Sequence, residues 1–90
     1  MTVAGRFVKK PVEVEAVQWE QADQAAVIVA WCEGKAEFCP AGSGHHAPVI
    51  VLDTLHGPTN VVLGEWIIRG EGGDYWPNTA AEFTRNYEAA

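Results

Sequence analysis

Four residues stand out first for their chemistry. Cys32, Cys39, His45 and His46 supply two thiols and two imidazoles, the ligand types of a tetrahedral zinc site. Their spacing argues against that use. Ligand pairs in zinc motifs sit about two to five residues apart, so that one tight turn aims both at the ion. Here six residues intervene between the cysteines and the histidines are adjacent, which makes their side chains diverge. The cluster reads as buried thiols beside a solvated His-His loop, with no metal and no cofactor. A nucleophilic set needs a base and an orienting carboxylate, and His45 or His56 with Asp53 or Asp74 can be assembled on paper. Asp53 and His56 flank a turn, however, and turn chemistry accounts for both. Glu13 and Glu15 read as the solvated face of a strand rather than a paired-acid mechanism. Gly70-Glu71-Gly72-Gly73 lacks the helix that must follow a phosphate-cradling loop. No catalytic residue is assigned, and the chain is read as a non-enzyme.

What survives is a binding constellation. Lys9, Lys10 and Arg69, set beside Trp19, Tyr75 and Trp76, combine cations with flat aromatic faces. A nucleotide-like anion or an aromatic protein hot spot would use such a combination, and these six are the expected ligand- or partner-binding residues.

The elements that must position them follow from pattern and turn chemistry. Pro11 opens a strand that runs to Trp19, with Val12, Val14 and Ala16 pointing inward. Asp23 caps a helix over Ala25 to Trp31, and Glu33-Gly34 ends it. Lys35 to Cys39 form a short strand before a turn-rich loop over residues 40–46. The β-branched run Val49-Ile50-Val51-Leu52 suits a central strand, and His56-Gly57-Pro58 turns the chain into Thr59 to Val62. A second hairpin joins Trp66 to Arg69 with Asp74 to Trp76 around Glu71-Gly72-Gly73. Thr79-Ala80-Ala81-Glu82 has the spacing of a capping box, which predicts one helical turn carrying Phe83, with Phe83 and Tyr87 anchoring the tail.

No repeat or linker interrupts the chain, so residues 1–90 are expected to form a single small α+β domain. The expected architecture is a small bent antiparallel sheet or barrel of five or six strands, one packed helix and a short C-terminal helical turn. With 48% hydrophobic residues the chain can collapse, but at 90 residues its core is small and its aromatic residues must fill much of it. Twelve acidic against six basic side chains, a formal charge of −6, oppose non-specific nucleic-acid binding and attraction to anionic membranes. Too few cysteines for a disulfide framework and no secretory-type leader point to an intracellular protein. No apolar run approaches the length that crosses a bilayer.

The opening Lys9-Lys10-Pro11-Val12-Glu13-Val14-Glu15-Ala16-Val17-Gln18-Trp19 and the closing Gly64-Glu65-Trp66-Ile67-Ile68-Arg69-Gly70, with Gly73-Asp74-Tyr75-Trp76-Pro77 and the Phe83 and Tyr87 tail, resemble a widespread family of short, uncharacterised phage and prophage proteins. The resemblance covers both ends of the chain but not its middle. Leu63, Glu65 and Asn78 depart from the family pattern, and Asn78 stands where a cysteine often follows the proline. The resemblance implies phage origin and the host bacterial cytoplasm, without an activity.

The leading expectation is a phage accessory protein that binds a host protein or a small anionic ligand. A homo-oligomer covering an exposed Trp-rich face is also expected. Behind it stand a virion-associated structural or decoration protein and a small metal-dependent hydrolase built on the Cys-His loop.

Overall fold

Period-two runs separated by glycine and proline turns give strands too short to be stable alone, so they must pair. The computed structural model describes residues 6, 13–42, 44 and 46–88. Within them it shows two antiparallel three-stranded sheets and two helices, an α+β fold in which the sheets do not close. One sheet has the order β1 (Glu15–Gln18), β5 (Trp66–Arg69), β6 (Tyr75–Asn78), and the other the order β2 (Ala36–Cys39), β3 (Val49–Thr54), β4 (Gly57–Val61). Helix α1 (Ala25–Trp31) connects β1 to β2, and α2 (Ala80–Asn86) follows β6. Among the described residues, no helix is long and apolar enough to cross a membrane.

Proline explains much of the openness. Pro58 lies in β4 and Pro77 in β6, and each removes a backbone donor from its sheet's edge. An edge so blunted resists further strand pairing, which closing a barrel would require.

The core draws on both sheets and on α1. Trp19, Ile28, Cys32, Ile50, Leu52, Val61 and Ile67 are fully or almost fully buried and pack as one cluster with Ala25 and Tyr75. In α1, Ala25, Ile28 and Cys32 at its C-cap lie on one helical stripe, while Val27 on the opposite side is 73% exposed. The helix is not entered through Asp23. A 3-10 turn over Ala22–Gln24 precedes α1, and the Gln24 side-chain oxygen accepts from the backbone N–H groups of Glu20 (2.9 Å) and Gln21 (3.0 Å). Asp23 is thus already inside the first turn, where it is exposed. Glu33 and Gly34 end the helix with positive φ values of 51° and 88°.

The face assignment of β1 also changes. Val12 lies outside the described residues, and Val17 and Trp19, not Val14 and Ala16, face the main core. Ala16 pairs with Ile68, which pairs with Trp76, on the other side of the sheet. Trp66, on that same side, stacks on Phe83 of α2 with ring centroids 3.8 Å apart and planes 6° apart. Tyr87 continues the stack at 5.1 Å from Phe83. This sheet is therefore covered on both faces, so alternation along β1 does not separate an inside from an outside.

The β3–β4 turn is Leu55-His56, one position earlier than the sequence suggested, because Thr54 pairs with Gly57 and Pro58 with Asp53. Gly57 takes a φ of 102°, which a side chain would strain. The capping box at α2 forms as expected: Glu82 N–H donates to Thr79 Oγ1 (3.1 Å) and Thr79 N–H to Glu82 Oε1 (2.8 Å). The helix runs for two turns rather than one.

Candidate binding cleft

Strand register places Glu15, Arg69 and Tyr75 in one row across β1, β5 and β6. Side chains in such a row stand on one face, and here α1 ends above it. The Arg69 guanidinium donates to Glu15 Oε2 at 2.9 Å, to the Trp31 carbonyl at 3.1 Å and to the Tyr75 hydroxyl at 3.3 Å. It also lies 4.3 Å from the centre of the Trp31 ring and 3.9 Å from a Glu33 oxygen. The hydrogen bond to Glu15, then that to Tyr75, raises the Arg69 pKa above its already high ordinary value. Arg69 thus ties the Trp31 carbonyl, the last of α1, to the sheet, where a cation also suits the helix dipole. Trp31, at the end of α1, is the nearer aromatic partner of Arg69, with the Tyr75 ring at 5.9 Å.

Of the expected six-residue constellation, Arg69 and Tyr75 meet, and the other described members, Trp19 and Trp76, lie apart from that pair's polar contacts. Lys9 and Lys10 lie outside the described residues. Trp19 is completely buried, edge-on to Phe38 with centroids 6.3 Å apart, so its indole is core and cannot meet a ligand. Tyr75 is only 3% exposed and directs its hydroxyl toward the Trp31 carbonyl at 3.4 Å. Trp76, half-buried, reaches the larger of two hollows described below, and the buried Tyr75 ring touches both. The hollow beside Arg69, about 410 Å³, is lined also by Glu13, Glu15 and Glu71. Three carboxylates against one engaged guanidinium make it unfavourable to an anion.

The premise of an exposed Trp-rich face also fails: none of Trp19, Trp31, Trp66 and Trp76 is exposed. The ground for expecting self-association through that face goes with it. Among the described residues, the large apolar side chains that are exposed are Val27, Phe38, Leu55, Val62 and Leu63, spread over helix, strand and turns.

The cysteines and histidines do not gather either. Cys32 is packed in the core, where burial pushes its thiol up to about 11 while the positive charge of Arg69 opposes the rise. Cys39 is a half-buried free thiol at the end of β2, His46 is exposed, and His45 lies outside the described residues. Among the described residues no three His, Cys, Asp or Glu side chains are grouped to hold a metal ion.

A different place is shaped for contact. The Leu55-His56 turn stands next to the start of β6 and divides two hollows. The larger, about 390 Å³, lies between Thr54–Thr59 and Asp74–Pro77. The smaller, about 220 Å³, lies between Asp53–Leu55, Lys35 and Gly72–Tyr75. Thr54, Leu55, Asp74 and Tyr75 line both. The turn between them is pinned: Thr54 Oγ1 donates to the Gly57 carbonyl at 2.7 Å and accepts from His56 N–H at 3.1 Å. That leaves the Thr54 hydroxyl committed to structure rather than to nucleophilic chemistry. Trp76, half-buried, and Pro58 and Pro77 make the walls of the larger hollow apolar. Sequence reasoning had placed His56 and Asp74 only in a paper catalytic set. The available signal was Leu55 itself, an aliphatic residue at a turn tip where Asn, Asp or Gly is usual.

Comparison with protein-family models, with curated proteins and with solved structures finds no match to this chain.

Proposed function

We propose that this chain is a non-enzymatic accessory protein of phage origin that acts in the bacterial cytoplasm by binding a host protein at the Leu55 cleft. The phage origin and the cytoplasm rest on the sequence resemblance. The observation that supports the site is Leu55: 81% exposed at the tip of a hydrogen-bonded turn, between two hollows and close to Trp76. An aliphatic side chain held out in water contributes nothing to the core, whereas a rigid apolar knob beside an aromatic wall is what a protein partner desolvates on binding. The alternative of a small anionic ligand draws less support, because Arg69 is occupied by Glu15 and the net charge is −6.

Affinity capture from bacterial lysate with the wild-type chain and with Leu55→Asp tests this reading. A partner retained by the first and lost by the second, with both chains giving the same far-UV circular dichroism, is the expected result. Equal capture by both chains removes the cleft from the interaction. Sedimentation of the isolated chain shows whether a second copy occupies the cleft instead.

A further inference from the structure

We infer that the cleft takes a proline-rich, cation-bearing protein segment in the left-handed extended conformation. This rests on the reading of the cleft as a partner site and names the chemistry of the partner.

An extended segment can be held in two ways. It can add as a strand, through main-chain hydrogen bonds to a free sheet edge, or it can be held by its side chains against a preformed groove. The edge strands that border the larger hollow are β4 and β6, and each carries a proline, Pro58 and Pro77. Neither residue has a backbone N–H to offer, so strand addition is disfavoured on both borders. A polyproline helix has no ladder to complete and presents rigid pyrrolidine rings at low entropic cost. It suits walls of the kind found here, the Trp76 indole on one side and Leu55 with Pro58 on the other.

Charge decides what accompanies the prolines. Asp74 lines both hollows and Asp53 the smaller one, with Lys35 as the one described cation beside them. The ion pairs found among the described residues all run to Arg69, which leaves both aspartates without an ionic partner there. A segment whose rings fill the larger hollow would carry its cation past Leu55 toward these carboxylates.

The test is amide-shift titration of the intact chain with three synthetic probes: acetyl-Pro-Pro-Leu-Pro-Pro-Arg-amide, its Glu-for-Arg version, and the strand-forming acetyl-Thr-Val-Thr-Val-Thr-Arg-amide. The first is expected to move the Leu55, His56, Asp74 and Trp76 signals saturably. Leu55→Ser and the near-isosteric Asp74→Asn should each weaken it by about fivefold or more. Equal binding of the Glu probe overturns the cationic requirement, and tighter binding of the Thr-Val probe overturns the polyproline mode. If no probe binds while capture of a host protein still depends on Leu55, this inference alone fails. If capture is also indifferent to Leu55, the site itself fails.

Discussion

The side-chain amide of Gln18 donates to the carbonyl of Gly64 at 3.1 Å, joining two segments 46 positions apart. The neighbouring backbone completes the junction: Trp19 N–H donates to the Glu65 carbonyl at 2.9 Å, and Gly64 N–H to the Trp19 carbonyl at 2.6 Å. The Gln18-Trp19 and Gly64-Glu65 segments are thus the two sides of one clamp, which joins the ends of β1 and β5 beside the Trp19 indole. In this chain they form framework, and the contact surface proposed above lies elsewhere, at the Leu55 turn.

Replacing Gln18 by Leu leaves the Gly64 carbonyl without that donor. A part-buried hydrogen bond of this kind contributes about 1 kcal/mol. The thermal midpoint is expected to fall by roughly 4–8 °C for a domain of this size. Melting followed by circular dichroism reads the change, and an unaltered midpoint would mean that the backbone bonds alone hold the junction.

Two glycines should fail for opposite reasons. A Cβ on Gly70 would meet Trp76 Cζ3 at 2.7 Å, so Gly70→Ala must displace the indole that walls the cleft. Overpacking of this sort costs about 1–3 kcal/mol, and the near-UV spectrum should change with it. Gly64 has open space around it but a φ of 94°. Gly64→Ala should therefore cost roughly 1–2 kcal/mol of conformational strain while leaving the aromatic signals in place. Identical spectra for the two variants would contradict the Gly70 contact.

The α2 cap predicts an acid sensitivity. Hydrogen bonds from Thr79 hold the Glu82 carboxyl below its ordinary value of 4.5. A carboxylate whose pKa is depressed by folding stabilises the native state above its unfolded pKa, and that contribution disappears as pH falls through the folded pKa. Glu82→Gln should remove this part of the acid dependence in melts taken across that range. Thr79→Ala should cost roughly 0.5–2 kcal/mol at neutral pH by leaving the helix uncapped.

Thiol chemistry should separate the two cysteines. Cys32 is fully buried with its pKa raised from 9.0 to about 11, so it should resist iodoacetamide at neutral pH, while half-buried Cys39 is alkylated. Because folding raises the Cys32 pKa, its contribution to stability is complete below about 9 and is lost as pH rises toward about 11. Arg69→Met removes the charge that opposes the rise, so it should push the Cys32 pKa higher still. Rapid modification of both cysteines in the native protein would contradict the packing described for Cys32.

Features governed by neighbours in sequence were readable in advance. The Thr79–Glu82 box, the Glu33-Gly34 stop and the two hairpins each depend on residues a few positions apart, whose geometry is set by local hydrogen bonds and glycine conformations. The anchoring of the tail by Phe83 and Tyr87 was legible as well, though its partner Trp66 was not. The candidate site was scarcely visible: Trp76 and Tyr75, which line it, were named, but beside Trp19 of the core, Arg69 of the staple and two lysines outside the described residues.

What the chain encoded by itself was its α+β class, its strand and turn positions within a residue or two except for β1, which starts at Glu15 rather than near Pro11, and a small core dependent on aromatic rings. Tertiary structure alone decided that Trp19 is interior, that Arg69 is consumed by Glu15 and Trp31, and that the Leu55 turn meets the edge of β6. These contacts join residues 19 to 54 positions apart. The reason is physical: period-two alternation records that a strand has two faces, but which face is buried depends on what packs against each, and this sheet is covered on both.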